Sequence, residues 1–324
     1  MGCHAPRVGL RTVYAQRFDA RGRPLDEDLM AGPVVFSEEV ARRRGLEVVS
    51  DQPVPCGHCQ GCLSARALDR KTRLLHEGSC WERNCVLTLT YDADHLPPGG
   101  TVVKADLSAF MMRVRNRARR HDGVSAGVRF EGIGEYGGKT ARPHYHVILF
   151  NYDAPDKVHW SGKGDLAQFT SKVMDDVWGM GHVRVGVFGP KSAGYVAQYI
   201  TEKVIGDRKA PKYMHVDPTG QPFWVEPEFA LSSRRPGIGA AWLAKYESDV
   251  YPHGYVVLKS GCQVKPPAYY DAKYRQRHPQ EFRDLAVRRE VEAIDKAADN
   301  TPERLAVKEI VLKARLAQKL RDKV

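Results

Sequence analysis

The sequence has 324 residues, 42% hydrophobic and 27% charged. This globular balance excludes global disorder and, at roughly 100–200 residues per domain, predicts one or two domains. Lys and Arg outnumber Asp and Glu by 50 to 39, a net charge of +11, which favours a polyanionic partner, nucleic acid ahead of an anionic membrane surface. No apolar run approaches the ~18 residues of a spanning helix, and the N-terminus has no apolar signal core. Seven cysteines, an odd number, argue for a reducing compartment over a disulfide scaffold.

In chain order, residues 1–50 read as loop-rich and basic, with Arg7, Arg11, Arg17, Arg21 and Arg23. Cys56-x-x-Cys59-x-x-Cys62 follows. A structural zinc site needs four ligands, usually Cys or His. We expect structural Zn²⁺ here, with Cys3 as the fourth ligand if the N-terminus folds back. His4, His58, Cys80 and Cys85 are the alternatives, and three reduced thiols in a Gly-rich turn are the plainer reading. Residues 63–79 predict a helix, and Cys85–Tyr91 a buried strand ended by Asp92 and the turn 96–100. Leu107, Phe110, Met111 and Val114 fall on one face of a helix from about 105 to 120. Arg113, Arg115, Arg117, Arg119 and Arg120 populate its second half as a solvated face or a phosphate-facing one.

Val128–Ile133 alternates as a strand, ended in a turn by 134–138, and His144–Asn151 is the next strand. Leu166, Phe169, Val173 and Val177 predict an amphipathic helix that stops at Gly179. His182–Phe188 is a short strand, and Gly189-Pro-Lys-Ser192 opens a helix through about Val204. Beyond 205, Pro, Gly and aromatics are frequent. Two helical stretches finish the chain, the last capped at Thr301 with Leu305, Leu312, Leu316 and Leu320 as its stripe. We divide the chain into a basic Cys-rich segment (1–80), a core (81–205) and a basic accessory region ending in helices (206–324). The order β-α-β-β-α-β-α across the core predicts an α+β fold with a central antiparallel sheet and flanking helices.

The sharpest chemistry lies in Arg142-Pro-His-Tyr-His146. Alternate residues of a strand share a face, so His144 and His146 point together, while Tyr145 and Val147 enter the core. Two neutral imidazoles suit a divalent metal, zinc among them. Glu135, at the matching end of the neighbouring strand, adds a carboxylate that shifts preference toward Mg²⁺ or Mn²⁺. Tyr195, Tyr199 and Lys203 sit at i, i+4 and i+8 of one helix. Taken alone the tyrosines read as half-buried core residues. With a metal site in a basic protein they read as nucleophiles for a phosphodiester.

His144-Tyr-His146 with Tyr195-x-x-x-Tyr199 resembles the HUH endonucleases, which initiate rolling-circle replication. Gly134-Glu-Tyr-Gly137 followed by Arg142-Pro-His-Tyr-His146 is similar to their metal-binding region. Val54-Pro-Cys-Gly-His-Cys-Gln-Gly-Cys62, Leu87-Thr-Leu-Thr-Tyr-Asp92 with His95-Leu-Pro97, Arg142-Pro-His-Tyr-His146, Ser192-Ala-Gly-Tyr-Val-Ala-Gln-Tyr199 and Ser233-Arg-Arg-Pro-Gly-Ile-Gly239 are similar, in order, to the two-tyrosine replication initiators of gokushovirus-like Microviridae. The resemblance implies nicking and joining of a single-stranded DNA origin in the host bacterial cytoplasm. It also implies a divalent metal on His144, His146 and Glu135, a 5′-phosphotyrosine on Tyr195 or Tyr199, a 3′-OH that primes synthesis, and a host helicase and polymerase as partners. Lys203 neutralises phosphate charge or assists a phenol, or is an ordinary solvated lysine. Gly194 and Glu202 depart from the family pattern, where Ala and Lys are common, and neither departure removes a catalytic group. Arg142, Arg113, Arg115, Arg117, Arg234 and Arg235 are candidate strand contacts. Three rivals make different predictions. A relaxase or transposase of a mobile element differs in origin, a metal-dependent hydrolase leaves no covalent adduct, and a nucleic-acid-binding module does not cleave.

Overall fold

The computed structural model describes residues 2–14, 21, 34–138, 140–200, 213–216 and 219–321. It divides into two units, Met1–Ala65 with Glu292–Val324, and Arg66–Val291. The elements in order are β1 (Arg7–Tyr14), α1 (Glu38–Arg43), β2 (Leu46–Val54), α2 (Gln60–Ser79), β3 (Asn84–Tyr91), α3 (Lys104–His121), β4 (Arg129–Tyr136), β5 (Pro143–Phe150), β6 (Val158–Ser161), β7 (Gln168–Thr170), α4 (Lys172–Trp178), β8 (Gly181–Val187) and α5 (Pro190–Tyr199). There follow β9 (Met214–Val216), β10 (Pro222–Trp224), β11 (Phe229–Ser232), α6 (Ala240–Val250), β12 (Val256–Val257), β13 (Gln263–Val264), α7 (Ala268–Arg277), α8 (Pro279–Asp295) and α9 (Pro302–Arg321).

The second unit is α+β, as expected. Its centre is a seven-stranded antiparallel sheet in the order β11-β4-β5-β3-β8-β7-β6. Strict alternation builds its two faces. Leu87, Leu89, Tyr145, Val147 and Val185 pack on one side with Leu107, Phe110 and Val114 of α3 and Met174 and Trp178 of α4. Ile133, Ile148 and Phe150 pack on the other with Leu74 of α2 and Ala193, Val196 and Ala197 of α5. A separate aromatic cluster joins α6, α7 and α8 through Leu243, Tyr251, Tyr270, Tyr274 and Leu285.

Three sequence expectations are corrected. Residues 134–136 do not turn but extend β4, because Gly134 is a strand glycine. A Cβ there would lie 2.7 Å from the Phe229 ring of β11. The helix expected from Leu166 starts at Lys172, capped by Ser171, whose Oγ accepts from Met174 N at 3.1 Å. Before it runs the β6–β7 hairpin, turned at Gly162 and Gly164, both with positive φ, and Leu166 is exposed. Its expected stop holds, since Gly179 is the left-handed C-cap. Residues 1–50, read as loop, contain β1, which pairs antiparallel with β2 around a small cluster of Val35, Ala41 and Leu46.

Candidate active site

β4 and β5 pair so that Glu135 lies opposite His144 and Ile133 opposite His146. The period of the strand turns both imidazoles to the α2–α5 side and sends Tyr145, fully buried, to the other. Nε2 of His144 and Nε2 of His146 lie 2.7 and 3.0 Å from the same oxygen, Oε1 of Glu135. Their outer nitrogens are also held: Nδ1 of His144 lies 3.2 Å from the Arg142 carbonyl, and Nδ1 of His146 lies 3.0 Å from Oγ1 of Thr88 on β3.

This arrangement poses a charge problem that a cation solves. A carbonyl oxygen only accepts, so Nδ1 of His144 carries the proton, and the neutral ring presents a bare lone pair at Nε2. That lone pair faces a carboxylate oxygen. Two acceptors at this distance need a ring proton or a metal between them. The second oxygen of Glu135, Oε2, is buried with no hydrogen-bond partner among the described residues. Burial pushes the Glu135 carboxyl up, yet when ring protons rather than a metal bridge the gap, the hydrogen bonds from His144 and His146 outweigh burial and hold it at about 2. Two imidazole nitrogens, a buried carboxylate with an open oxygen and an outer layer on each ring suit a divalent metal. Glu135, His144 and His146 form one of two groups among the described residues able to hold a metal ion. The other is Cys3, Cys56, Cys59 and Cys62.

α5 brings the tyrosines to this group. Pro190 opens the helix, and the Gly189 amide donates to Oγ of Ser192 at 2.9 Å. Ala193, Val196 and Ala197 bury one face of it, which leaves the i, i+4 pair Tyr195 and Tyr199 at its edge. The Tyr195 hydroxyl donates to Oε1 of Glu135 at 3.3 Å, and its ring meets His146 edge-on at 5.2 Å. Tyr199 follows with its ring 6.1 Å from that of Tyr195. Burial and then the Glu135 charge push Tyr195 up to about 12 and raise Tyr199 further.

The remaining expected residues scatter. Arg142 lies beside the triad, its Nη2 donating to the carbonyls of Tyr91 and Asp92 at 3.1 and 3.3 Å. Arg113, Arg115 and Arg117 belong to α3, on the opposite side of the sheet from the triad. Arg113 donates to the carbonyls of Val177 and Trp178, closing the end of α4, and Arg115 to Val128 O. Arg117 pairs with Asp122 at 3.4 Å. Arg234 and Arg235 are exposed on the loop after β11. Lys203 lies outside the described residues.

Two features around the site are not expected from the sequence. Thr88 is a strand residue to which the motifs assign no role, although a polar side chain on the imidazole-bearing face is a usable signal. Glu77, fully buried on α2, accepts from Arg129 Nε at 2.5 Å, from the Gly239 amide at 2.7 Å and from Trp81 Nε1 at 3.2 Å. Arg129 also donates to the carbonyls of Pro236 and Gly237. The Ser233–Gly239 motif is therefore a loop latched to α2 and β4 with its two arginines left outside.

A sheet whose neighbouring strands present His-x-His and a carboxylate, faced by a helix with paired tyrosines, is the region that matches a family model. Residues 84–204, from β3 through α5, match that of replication-associated protein ORF2/G2P. Replication-associated protein VP4 of Bdellovibrio phage phiMH2K is 31% identical over 267 residues, 80% of this chain and 78% of its own length. Replication-associated protein ORF2 of Spiroplasma virus 4 is 28% identical over 72% of this chain and 71% of its own, and ORF4 of Chlamydia phage 1 is 31% identical over 47% and 39%. No solved structure matches. The chain belongs to the replication-associated proteins of these Microviridae-like phages.

Proposed function

We propose that the protein initiates replication as a tyrosine endonuclease, nicking and rejoining single-stranded DNA at an origin. The observation that carries this reading is one carboxylate oxygen, Oε1 of Glu135, within hydrogen-bond reach of His144, His146 and Tyr195. Glu135, His144 and His146 would hold Mg²⁺ or Mn²⁺, whose contribution is to polarise a phosphate oxygen as a Lewis acid.

The rest is done by the chain itself. Thr88 and the Arg142 carbonyl fix the imidazole tautomers. Tyr195, half exposed and hydrogen-bonded to Glu135, lies within reach of a phosphate seated at the triad. Its oxygen forms a bond to phosphorus as the bond to the 3′ oxygen breaks, the phenolic proton passes to solvent, and the departing 3′ oxygen takes a proton from solvent. The products are a 5′-phosphotyrosine and a 3′-OH. The linkage keeps the phosphodiester energy, so joining by the 3′-OH needs no nucleotide. Tyr199, one turn along α5, is placed for the second cleavage that ends a round of synthesis.

Incubation with labelled single-stranded origin DNA and Mn²⁺ tests the reading on a denaturing gel. A protein–DNA adduct is expected in wild type, reduced more by Tyr195→Phe than by Tyr199→Phe and absent from the double variant. Cleavage without an adduct points to a water nucleophile and contradicts the proposal.

A further inference from the structure

The four sulfurs of Cys3, Cys56, Cys59 and Cys62 lie within 4.8 Å of one another, and all four cysteines are free of disulfides. Sγ of Cys3 and Sγ of Cys59 are 3.7 Å apart, far beyond the ~2.05 Å of a disulfide. A tetrahedral centre with Zn–S bonds of about 2.3 Å places its sulfurs about 3.8 Å apart. The spacing thus fits one shared ion and is too tight for a multinuclear iron–sulfur cluster.

Backbone amides converge on these sulfurs. His4 N donates to Cys59 at 3.2 Å, Cys56 N to Cys3 at 3.2 Å, and Cys59 N and His58 N to Cys56 at 3.3 and 3.4 Å. Four thiolates around one Zn²⁺ carry a net double negative charge, and N–H donors aimed at sulfur offset it. Gly57, with φ of 83°, makes the turn between Cys56 and Cys59. Gly61 lets the N-terminal residues lie against the first turn of α2, since a Cβ there would come within 2.1 Å of the Gly2 carbonyl and 3.0 Å of the His4 ring.

Among the described residues, the segment this cluster ties has its β1–β2 ladder but only a small apolar core. Among the described residues of 2–54, the buried apolar side chains are Val35, Ala41 and Leu46, while Val8, Phe36, Val48 and Val49 are exposed. Small segments with so little core depend on a cross-link or a metal.

We propose that Cys3, Cys56, Cys59 and Cys62 bind one structural Zn²⁺ that clips the N-terminal residues to the start of α2 and sets the stability of the β1–β2 hairpin. The proposal stands apart from the nuclease reading, because its readouts are metal content and protease resistance rather than cleavage.

The full-length protein, purified without chelator, should contain about one zinc per chain by mass spectrometry, and its cobalt-exchanged form should show the visible absorption of tetrahedral thiolate coordination. Cys3→Ser should lose most of the zinc. Cys262→Ser and the triad variant His144→Ala/His146→Ala should keep it. Gly61→Val, which retains all four sulfurs, should release zinc to a chromogenic chelator at least tenfold faster and expose the hairpin to protease. If Cys3→Ser is insoluble, Gly61→Val and the cobalt spectrum of wild type decide the matter. Zinc that leaves with the triad variant and not with Cys3→Ser would overturn the assignment. So would iron in place of zinc, or a disulfide found within the cluster.

Discussion

Thr88 has a hydroxyl positioned to accept from Nδ1 of His146 and so to keep Nε2 turned inward with its lone pair available. Loss of such an outer partner weakens metal binding about 10- to 100-fold. Thr88→Val is expected to lower Mn²⁺ affinity by that factor in a calorimetric titration. Thr90→Val should leave it unchanged, because the Thr90 hydroxyl donates to the His182 carbonyl instead. His76 offers a second prediction. It is stacked on Trp242 at 3.5 Å and hydrogen-bonded to the Tyr270 hydroxyl, and burial lowers its pKa from the ordinary 6.5 to about 4. A histidine that stays neutral when folded contributes its full share above pH 6.5. As pH falls toward 4 the unfolded chain takes the proton first, and stability drops by roughly 3 kcal/mol at about 1.4 kcal/mol per pKa unit. The urea midpoint of wild type should therefore fall more steeply between pH 7 and pH 4.5 than that of His76→Phe. Equal slopes would place the proton elsewhere.

Among the elements, β4 is where pattern and structure part. Gly134 reads as a turn in sequence, yet it is a thin place where Phe229 presses against the strand, as Gly132 is for Leu107. Only the partner strand β11, nearly a hundred residues later in the chain, reveals that need, so no local pattern carries it. By contrast, His144 and His146 are legible because alternation on a strand is a local rule, and Tyr195 and Tyr199 because i, i+4 is one on a helix. The register that sets Glu135 opposite His144 agrees with the pairing expected from sequence. The helix expected to begin at Leu166 fails for a different reason: apolar spacing outweighs Gly162 and Gly164 in the pattern, whereas their positive φ makes a turn. The outward face of α5 yields a simple test. Gly194 is a poor helix former, and an added Cβ would first meet the Lys71 side chain, in ordinary contact at 3.7 Å. Gly194→Ala should stabilise the protein by about 1 kcal/mol, seen as a raised urea midpoint. The link between α2 and β4 is less tolerant. Glu131 is fully buried on the triad's face of β4 and paired with Arg70. Arg70→Met should cost about 3–5 kcal/mol by leaving that carboxylate uncompensated, and Arg70→Met/Glu131→Leu should recover much of it.

For the whole molecule, a net charge of +11 does not mean that every arginine meets DNA. Arg113 and Arg115 are engaged by carbonyls of α4 and of Val128, whereas Arg234 and Arg235 stand outside a loop held by Glu77 and Arg129. Removing Arg234 and Arg235 should therefore flatten the salt dependence of single-strand binding. The logarithmic slope is expected to fall by about 0.7 for each phosphate that is no longer neutralised. Arg113→Ala should lower stability and leave that slope alone. The relatives are phage replication-associated proteins, and the matched region 84–204 holds the triad and both tyrosines. The central claim, a phenol that takes a phosphate at a site built by Glu135, His144 and His146, is tested most directly by mapping the adduct. After reaction with origin DNA and Mn²⁺, protease digestion and mass spectrometry of the covalent product should place the nucleotide on the peptide containing Tyr195 and Tyr199. His146→Ala should abolish it. A nick with free 5′-phosphate and no modified tyrosine would contradict the account.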